Sequence, residues 1–481
     1  MKIPLDRQIT QPIYLQIRDR VKRLIVSGAL QPGDRLPSVR QMAKETQVNK
    51  LTVIEAYGTL EAEGLIHARL GAGYFVNRGS ATTPPQPATF APAQKVIIGQ
   101  SNTHSFCDSY IESLKVYRQN NMVDFSMGFP QLFGLDDLQR LARRAMNQVV
   151  DHLSNYDFPQ GQAGLRQQIA QLLVQRGLVV SADDLIITSG SMQGITLTLR
   201  YLIQPGDWVI VESPTWYGTL TVLERMGAKI IGIPMTPAGM NLELLEQYLK
   251  SHRPKLIYTI STLQNPTGIT TSQTHRQQLL ALAQAYNCPV LEDNAYEGLN
   301  FEAVPAPIKA IDQQDQVIYL GTFSKTLMPG LRIGYIVVTG QHYQPLLEQK
   351  ILDDIHTPTP SQAIVQEYLA SGHYRHRLQQ LRSWHLQSRN VMLEAMTQYF
   401  PPEATWTVPN GGLFLWVQLP EALPLHRICQ EVREQGVLVL PGSSYFPDRQ
   451  GYAAMRLSFC RPTEAIQWGI KVLGERLKAY S

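Results

Sequence analysis

The stretch NRGSATTPPQPATFAPAQK, from Asn77 to Lys95, constrains this 481-residue chain more than any other feature. It holds four prolines and three threonines but almost no large apolar side chains. Such a stretch buries too little surface to offset the entropy of ordering it, and its prolines keep it extended. It reads as a linker. The chain therefore divides into a first unit over residues 1–76, a Pro-rich linker and connecting segment over 77–121, and a second unit over 122–481. More than one domain also agrees with the usual 100–200 residues or so per domain.

Charge divides at the same place. The whole chain carries 43 Lys and Arg against 39 Asp and Glu, a net of +4. Its first 78 residues hold 12 basic and 7 acidic side chains, a net of +5, and the remainder is close to neutral at −1. The excess positive charge sits where it can serve a phosphate backbone. An apolar fraction of 44% excludes a disordered chain. Cys107, Cys288, Cys429 and Cys460 lack the paired spacing of zinc or redox sites and are expected to be reduced. The start MKIPLDR places charge where a signal peptide carries its apolar run, and no apolar run reaches roughly 18 residues. A cytoplasmic protein without a membrane partner is expected.

In the first unit, Ile13, Ile17, Val21, Leu24 and Ile25 recur at helical spacing, and Gly28 followed by Pro32-Gly33 ends that helix. Ser38 can cap a second helix running to about Glu45. After a turn through Thr46–Val48, Asn49 can cap a third, with Val53, Tyr57 and Leu60 on one face and a stop at Gly64. Two short helices joined by a tight turn form a helix-turn-helix, whose second helix offers its first residues to the major groove of double-stranded DNA. Lys50 and Thr52 stand at that leading end. The segment LIHARLGAGYFV then reads as a hairpin around Gly71-Ala72-Gly73.

This order, with PGDRLPSVRQMA, LTVIEAYGTLEAEGLI and the glycine-turn wing GAGYFV, resembles the GntR-type winged-helix DNA-binding domain over nearly all of residues 10–76. The resemblance implies that Arg35, Ser38 and Arg40 contact phosphates and neighbouring base edges. It also implies that Lys50 and Thr52 lie on the recognition helix, and that Gly71 lets the wing approach the minor groove. Family members commonly read Ser-Arg where this chain has Asn49-Lys50, which replaces a bidentate guanidinium with a single-point ammonium. Operator sequence therefore does not carry over.

In the second unit, apolar runs such as Leu185–Thr188, Trp208–Glu212, Leu256–Thr259, Val290–Glu292, Val317–Leu320 and Tyr335–Val338 alternate with amphipathic stretches. That alternation predicts an α/β domain with a largely parallel sheet. Its informative stretches are TSGSMQG, ESPTWYG, QNPTG, LEDNAYEG, GTFSKTLMPGLRIGY and RLSFCRP. They supply what a pyridoxal phosphate site requires. Lys325, on a loop after a strand, is the amine to condense with the aldehyde. Asp293, after the run Cys288–Leu291, is the anion for the pyridine nitrogen. Asn265 and Tyr296 suit the phenolic oxygen. Ser191 with the Met192 amide at a helix start, Thr322, Ser324 and Arg332 suit the phosphate. Trp216 suits the ring face, with Tyr217 as the alternative. Taken singly, Lys325 reads as a surface lysine, Asp293 as a helix cap and Arg456 as a structural ion pair; the ordered set is what carries the inference.

Residues from about 122 to 481 resemble a fold-type I aminotransferase domain, and the resemblance implies a large α/β part with a smaller C-terminal subdomain. It further implies that Tyr156, in YDFPQG, reaches the phosphate of a neighbouring subunit across a homodimer. Arg456 would pair with a substrate α-carboxylate, with the Gly128 amide and Asn265 beside it. A winged helix joined to such a domain resembles the MocR/GabR-type transcriptional regulators. Those often read Glu-Asp-Asp-Tyr where this chain has Glu292-Asp293-Asn294-Ala295-Tyr296, a spacing closer to catalytic aminotransferases.

His373 and His376 have helical spacing, but Arg375, Arg377 and Arg382 surround them and no carboxylate or cysteine accompanies them, so no metal is expected. Two readings of function stand. In one, the large domain senses an amine, an amino acid or pyridoxal phosphate itself by aldimine chemistry at Lys325 and passes the change to the DNA-binding domain of a homodimer, with or without domain swapping. In the other, the protein is a working aminotransferase with a fused DNA-binding domain. The basic first unit, which a metabolic enzyme does not need, favours regulation.

Overall fold

The computed structural model describes residues 5, 12–26, 29–62, 65–69, 73–77, 96–99, 111, 114–115, 122–131 and 134–481. Gly71, Cys107 and nearly all of the linker lie outside this set.

The first unit is a three-helix arrangement closed by a hairpin: α1 (Ile13–Val26), α2 (Val39–Thr46), α3 (Lys50–Ala62), β1 (Ile66–Arg69) and β2 (Gly73–Val76). Ser38 caps α2 by accepting from the Gln41 amide at 3.2 Å. Asn49 accepts from the Leu51 amide at 3.0 Å at the start of α3. The two caps fix the turn between the helices. Residues Asp34–Leu36 run beside β2, with Leu36 N donating to Tyr74 O and Val76 N to Asp34 O, both at 2.9 Å. The hairpin is thereby tied to the helices. Ile17, Val21, Leu36, Met42, Val53, Tyr57 and Leu60 form the core, each at most 2% exposed.

The second unit contains a nine-stranded mixed sheet. Its strands are β3 (Ile97–Gly99), β5 (Leu185–Thr188), β6 (Trp208–Ser213), β7 (Lys229–Thr236), β8 (Gly239–Met240), β9 (Leu256–Thr259), β10 (Val290–Asp293), β11 (Val317–Thr322) and β12 (Gly334–Val337). The strand order is β3-β7-β6-β9-β10-β11-β12-β5, with β8 paired to β7. β7, β6, β9, β10 and β11 pair in parallel, while β12 is antiparallel to both β11 and β5. β5 therefore runs with the parallel set and β12 runs against it. The central strands are buried along their whole length, as strands covered by helices on both faces must be.

The helices are α4 (Leu135–Val149), α5 (Ala163–Val174), α6 (Ser191–Leu202), α7 (Tyr217–Arg225), α8 (Leu242–His252), α9 (Gln273–Ala285), α10 (Tyr343–Asp354), α11 (Thr359–Ala370) and α12 (His373–Tyr399), followed by α13 (Leu425–Glu434) and α14 (Thr463–Lys478). A smaller C-terminal part packs α12, α13 and α14 against an antiparallel sheet of β13 (Thr405–Trp406), β14 (Phe414–Gln418) and β16 (Ala454–Ser458). There β4 (Val123–Asp124) pairs in parallel with β15 (Val437–Leu438), which fastens the start of the unit to its end. No helix among the described residues is long and apolar enough to cross a membrane. Cys288, Cys429 and Cys460 are buried free thiols.

Candidate functional site

The topology places the chemistry. In an open parallel sheet, ligands bind outside the carboxyl ends of the strands. Ser191 follows β5, Trp216 follows β6, Asn265 follows β9, Asp293 ends β10, and Lys325 follows β11. Because β12 is reversed, its start lies at the same edge: Gly334 pairs with both Thr322 and Thr188. That reversal delivers Arg332 to the site. Five loops and one strand entry thus converge from distant points in sequence.

At the start of α6, Gly190 has φ +82° and Arg332 lies directly over it. A Cβ on Gly190 would come 2.5 Å from Nη2 of Arg332, and one on Gly334 would come 2.8 Å from the Ser191 amide. Two missing side chains leave room for a cation above a helix N-terminus, an arrangement suited to a phosphate. Arg332 also donates to Ser189 O at 2.9 Å and to Ser324 Oγ at 3.4 Å. Ser324 and Thr322 are joined through their hydroxyls at 3.1 Å. Thr322, Ser324 and Arg332 therefore meet beside the start of α6, whose first residues are Ser191 and Met192.

Asp293 is buried, and one carboxylate oxygen accepts from the Tyr258 hydroxyl at 2.8 Å. Its other oxygen, Oδ1, makes no hydrogen bond. Burial pushes this carboxyl up to about 6. A buried carboxylate with a free lone pair is what a protonated ring nitrogen needs. Sequence reasoning missed Tyr258; its signal is a phenol inside the mostly apolar run LIYT.

Lys325 donates from Nζ to the Gly128 carbonyl at 2.9 Å, with the Phe129 ring 5.8 Å away. Burial lowers its pKa to about 8, helped by the charge of Arg456 and, more weakly, of Arg332. Here the carbonyl of Gly128, and not its amide, is the group engaged.

Arg456 is 4% exposed and no carboxylate lies within 4.0 Å of it among the described residues. It donates to Ser126 O and, at 3.0 Å, to Asn265 Oδ1, while its Nε makes no hydrogen bond. Its guanidinium lies 3.7 Å from the Phe414 ring centre and 5.0 Å from that of Tyr445. A buried cation without a counter-ion is costly unless a ligand supplies one. Asn265 also donates from Nδ2 to the Tyr296 hydroxyl at 3.0 Å. One amide thus joins the arginine to the tyrosine.

Trp216 precedes α7 and lays its indole over Gly218, whereas Tyr217 turns its ring toward Tyr445 at 5.1 Å and Arg456 at 5.9 Å. Glu212 was not singled out from sequence. It is buried, its pKa pushed up to about 7 by burial, and it accepts from Thr259, the Ile260 amide and Gln264. Gln264 in turn donates to Pro214 O at 2.8 Å. The Glu212–Gln264 pair therefore clamps together the loops that carry Trp216 and Asn265. Tyr156 stands 81% exposed, edge-on to His356.

On the first unit, Lys50, Arg35 and Arg40 are exposed and Thr52 is half-buried. Arg35 lies against Gly73 of the wing, 3.5 Å from where a Cβ would stand. Ser38 spends its side chain on the cap of α2. Leu51 and Ile54, which the sequence did not mark, are 70% and 48% exposed near the leading end of α3.

A cleft of this composition at the carboxyl edge of such a sheet is a ligand-binding site of an α/β domain, here on one chain with a winged helix. The chain belongs to the family "Aminotransferase class I and II", which it matches over residues 120–470, and residues 13–76 match "Bacterial regulatory proteins, gntR family". It is 31% identical to the uncharacterized HTH-type transcriptional regulator YdcR of Escherichia coli K12, over 97% of this chain and 99% of that one. It is 27% identical to the protein MocR of Rhizobium meliloti, named a probable rhizopine catabolism regulatory protein, over 93% and 90%. Among solved structures it resembles the multiple substrate aminotransferase of Thermococcus profundus at 31% identity, with a TM-score of 0.72, covering 78% of this chain and 96% of that one. The two-part architecture is that of the MocR/GabR-type regulators, and the fold implies pyridoxal phosphate.

Proposed function

We propose that this protein is a pyridoxal-phosphate-dependent transcriptional regulator that binds DNA through residues 1–76 and takes up an amine or amino acid in the cleft of residues 122–481. The observation that carries this reading is the fusion: a winged helix with exposed Lys50, Arg35 and Arg40 shares one chain with a cleft that has a claimant for each polar group of the cofactor. When bound, pyridoxal phosphate supplies an aldehyde that accepts amines and a ring that draws electrons.

The chain's own groups would do the rest. The α6 N-terminus, Thr322, Ser324 and Arg332 hold the phosphate, with Tyr156 of a second copy reaching the same group. Asp293 Oδ1 keeps a proton on the ring nitrogen, and Tyr258 orients that carboxylate. Asn265 and Tyr296 donate toward the ring oxygen. Trp216 or Tyr217 covers the ring face. Arg456 takes the carboxylate of an amino acid, which would give that buried guanidinium its missing partner. Lys325 holds or releases a proton at Nζ near neutral pH.

A homodimer fits the surface. Val150, Leu153, Tyr156, Phe158, Leu352 and Ile355 are each at least 42% exposed, and Thr359 Oγ1 bonds Asp157 at 2.9 Å, which brings the two segments together. An exposed apolar patch of that kind marks an interface. Catalytic transamination is the second reading, favoured by the lowered pKa of Lys325, which leaves an amine able to accept a proton.

The test follows binding of the full chain to its own promoter fragment while pyridoxal phosphate and a panel of amino acids are titrated, with Lys325→Ala alongside. DNA affinity should respond to one of them in the wild type and not in the variant. It should also fall steeply with salt, and Lys50→Ala should reduce the salt slope by about 1. DNA affinity indifferent to every ligand, together with multiple turnovers of keto acid, would replace the regulator with the enzyme.

A further inference from the structure

The two units touch, and the contact lies close to the cofactor cleft. Helix α3 packs against α12. Gln379 Nε2 donates to Glu55 Oε1 at 3.2 Å. Close by on α12, Arg382 donates from Nε to the Gly298 carbonyl at 2.7 Å. Gly298 closes the short loop that begins at Asp293.

We infer that α12 is a docking seat for the winged-helix domain, and that Arg382 is the positioning residue linking this seat to the cofactor loop Asp293–Gly298. The inference rests on the regulator reading above and adds the route by which it acts.

The loop is held at several points. Asp293 faces the cleft, Tyr296 meets Asn265, and Glu297 accepts from Arg176 at 2.6 Å and from the Tyr319 hydroxyl at 2.5 Å. Its last carbonyl rests on Arg382. A shift at Asp293 or Tyr296 therefore has a short path along the backbone to the Gly298 carbonyl, and from there through one hydrogen bond to the guanidinium. On the other side, Arg382 faces the winged helix: its charge opposes the burial that raises both the Glu55 carboxyl and the Tyr14 phenol. Arg382 is half-buried, holds a backbone oxygen of the large domain, and stands three residues along α12 from Gln379, which holds Glu55 of the winged helix. Lysine in its place would keep the charge but lose the planar guanidinium whose Nε holds the Gly298 carbonyl.

The seat leaves the DNA-reading end free. Lys50, Leu51 and Ile54 remain exposed while Glu55 is engaged. Docking thus does not cover the recognition surface. It fixes the direction in which that surface points relative to the large domain, which sets the spacing of two such surfaces in a dimer.

The experiment measures, on the full-length protein, the ratio of promoter-fragment affinities with and without saturating pyridoxal phosphate, or with the effective amino acid from the panel. This ratio is a coupling constant and is unaffected by changes common to both states. Glu55→Gln keeps the Gln379 bond and removes the charge; Arg382→Lys keeps the charge and loses the Nε donor to Gly298. A coupling ratio of about 5-fold or more is expected in the wild type. It should fall to within about 2-fold of unity in each variant, and the double variant should add nothing further. Cofactor absorbance and affinity of Glu55→Gln should match the wild type, because Glu55 lies outside the cleft. Coupling retained in both variants overturns the seat and leaves the regulator standing. A wild-type ratio of unity with every ligand overturns both.

Discussion

Replacing Asp293 by Asn should move two measurable quantities in opposite directions. The carboxylate is buried, with Tyr258 on one oxygen and nothing on the other. Keeping it ionised at neutral pH, when burial has pushed its pKa up to about 6, costs about 3 kcal/mol of folding free energy. Asn retains the Tyr258 hydrogen bond through its carbonyl and carries no charge, so the cofactor-free variant should be more stable and melt a few degrees higher at pH 7. The sign follows from linkage. A raised carboxyl binds its proton more tightly folded than unfolded, so the penalty is present in full above about 6 and vanishes as pH falls toward the ordinary carboxylate value. The melting difference should therefore close by about pH 4. Cofactor affinity should move the other way, because the bond from a protonated ring nitrogen to a carboxylate contributes about 1.5–3 kcal/mol, or roughly 10- to 150-fold. Thermal melting of the cofactor-free protein across pH, paired with an absorbance titration of pyridoxal phosphate, reads both. Unchanged cofactor affinity in a folded Asn variant would refute the assignment of Asp293. A lower melting temperature at pH 7 would refute the electrostatic account of the buried carboxylate.

Arg456→Gln should weaken amino acids by about 10- to 150-fold relative to the matching amines without a carboxylate, as spectral titration of both series would measure. The rate at which cofactor-free protein captures pyridoxal phosphate should rise about tenfold per pH unit and level off above about 8, where the Lys325 amine is neutral; stopped-flow absorbance tests this. Leu60→Ala, at a fully buried position of the winged-helix core, should cost about 2–5 kcal/mol there and abolish promoter binding at raised temperature while cofactor uptake persists.

The strands on the parallel sheet were legible because each is buried along its length and appears as an unbroken apolar run: Leu185–Thr188 and Leu256–Thr259 are β5 and β9 residue for residue. β7 was not singled out, since Gly232 and Pro234 interrupt its apolar pattern. The sense of β12 was not legible either, because alternation and hydrophobicity are the same for a strand read in either direction. That reversal is what brings Arg332 over the start of α6. Chemical requirement found Lys325, Asp293 and Arg456, which the fold gathers into one cleft. It could not find Tyr258, whose place beside Asp293 comes from the pairing of β9 with β10, with Tyr258 opposite Leu291 on the face that Asp293 shares. Nor could spacing show that α3 rests on α12, a contact between residues more than three hundred positions apart.

Asn265 has one amide and two obligations, its oxygen held by Arg456 and its nitrogen given to Tyr296. An acid arriving at the guanidinium competes for the first and so changes how firmly the second is held. The cleft would then signal the acidity of its guest as well as the guest's presence. Amino acids and simple amines would then leave different absorbance on the same bound cofactor, and the difference would report a carboxylate that the ring itself never touches.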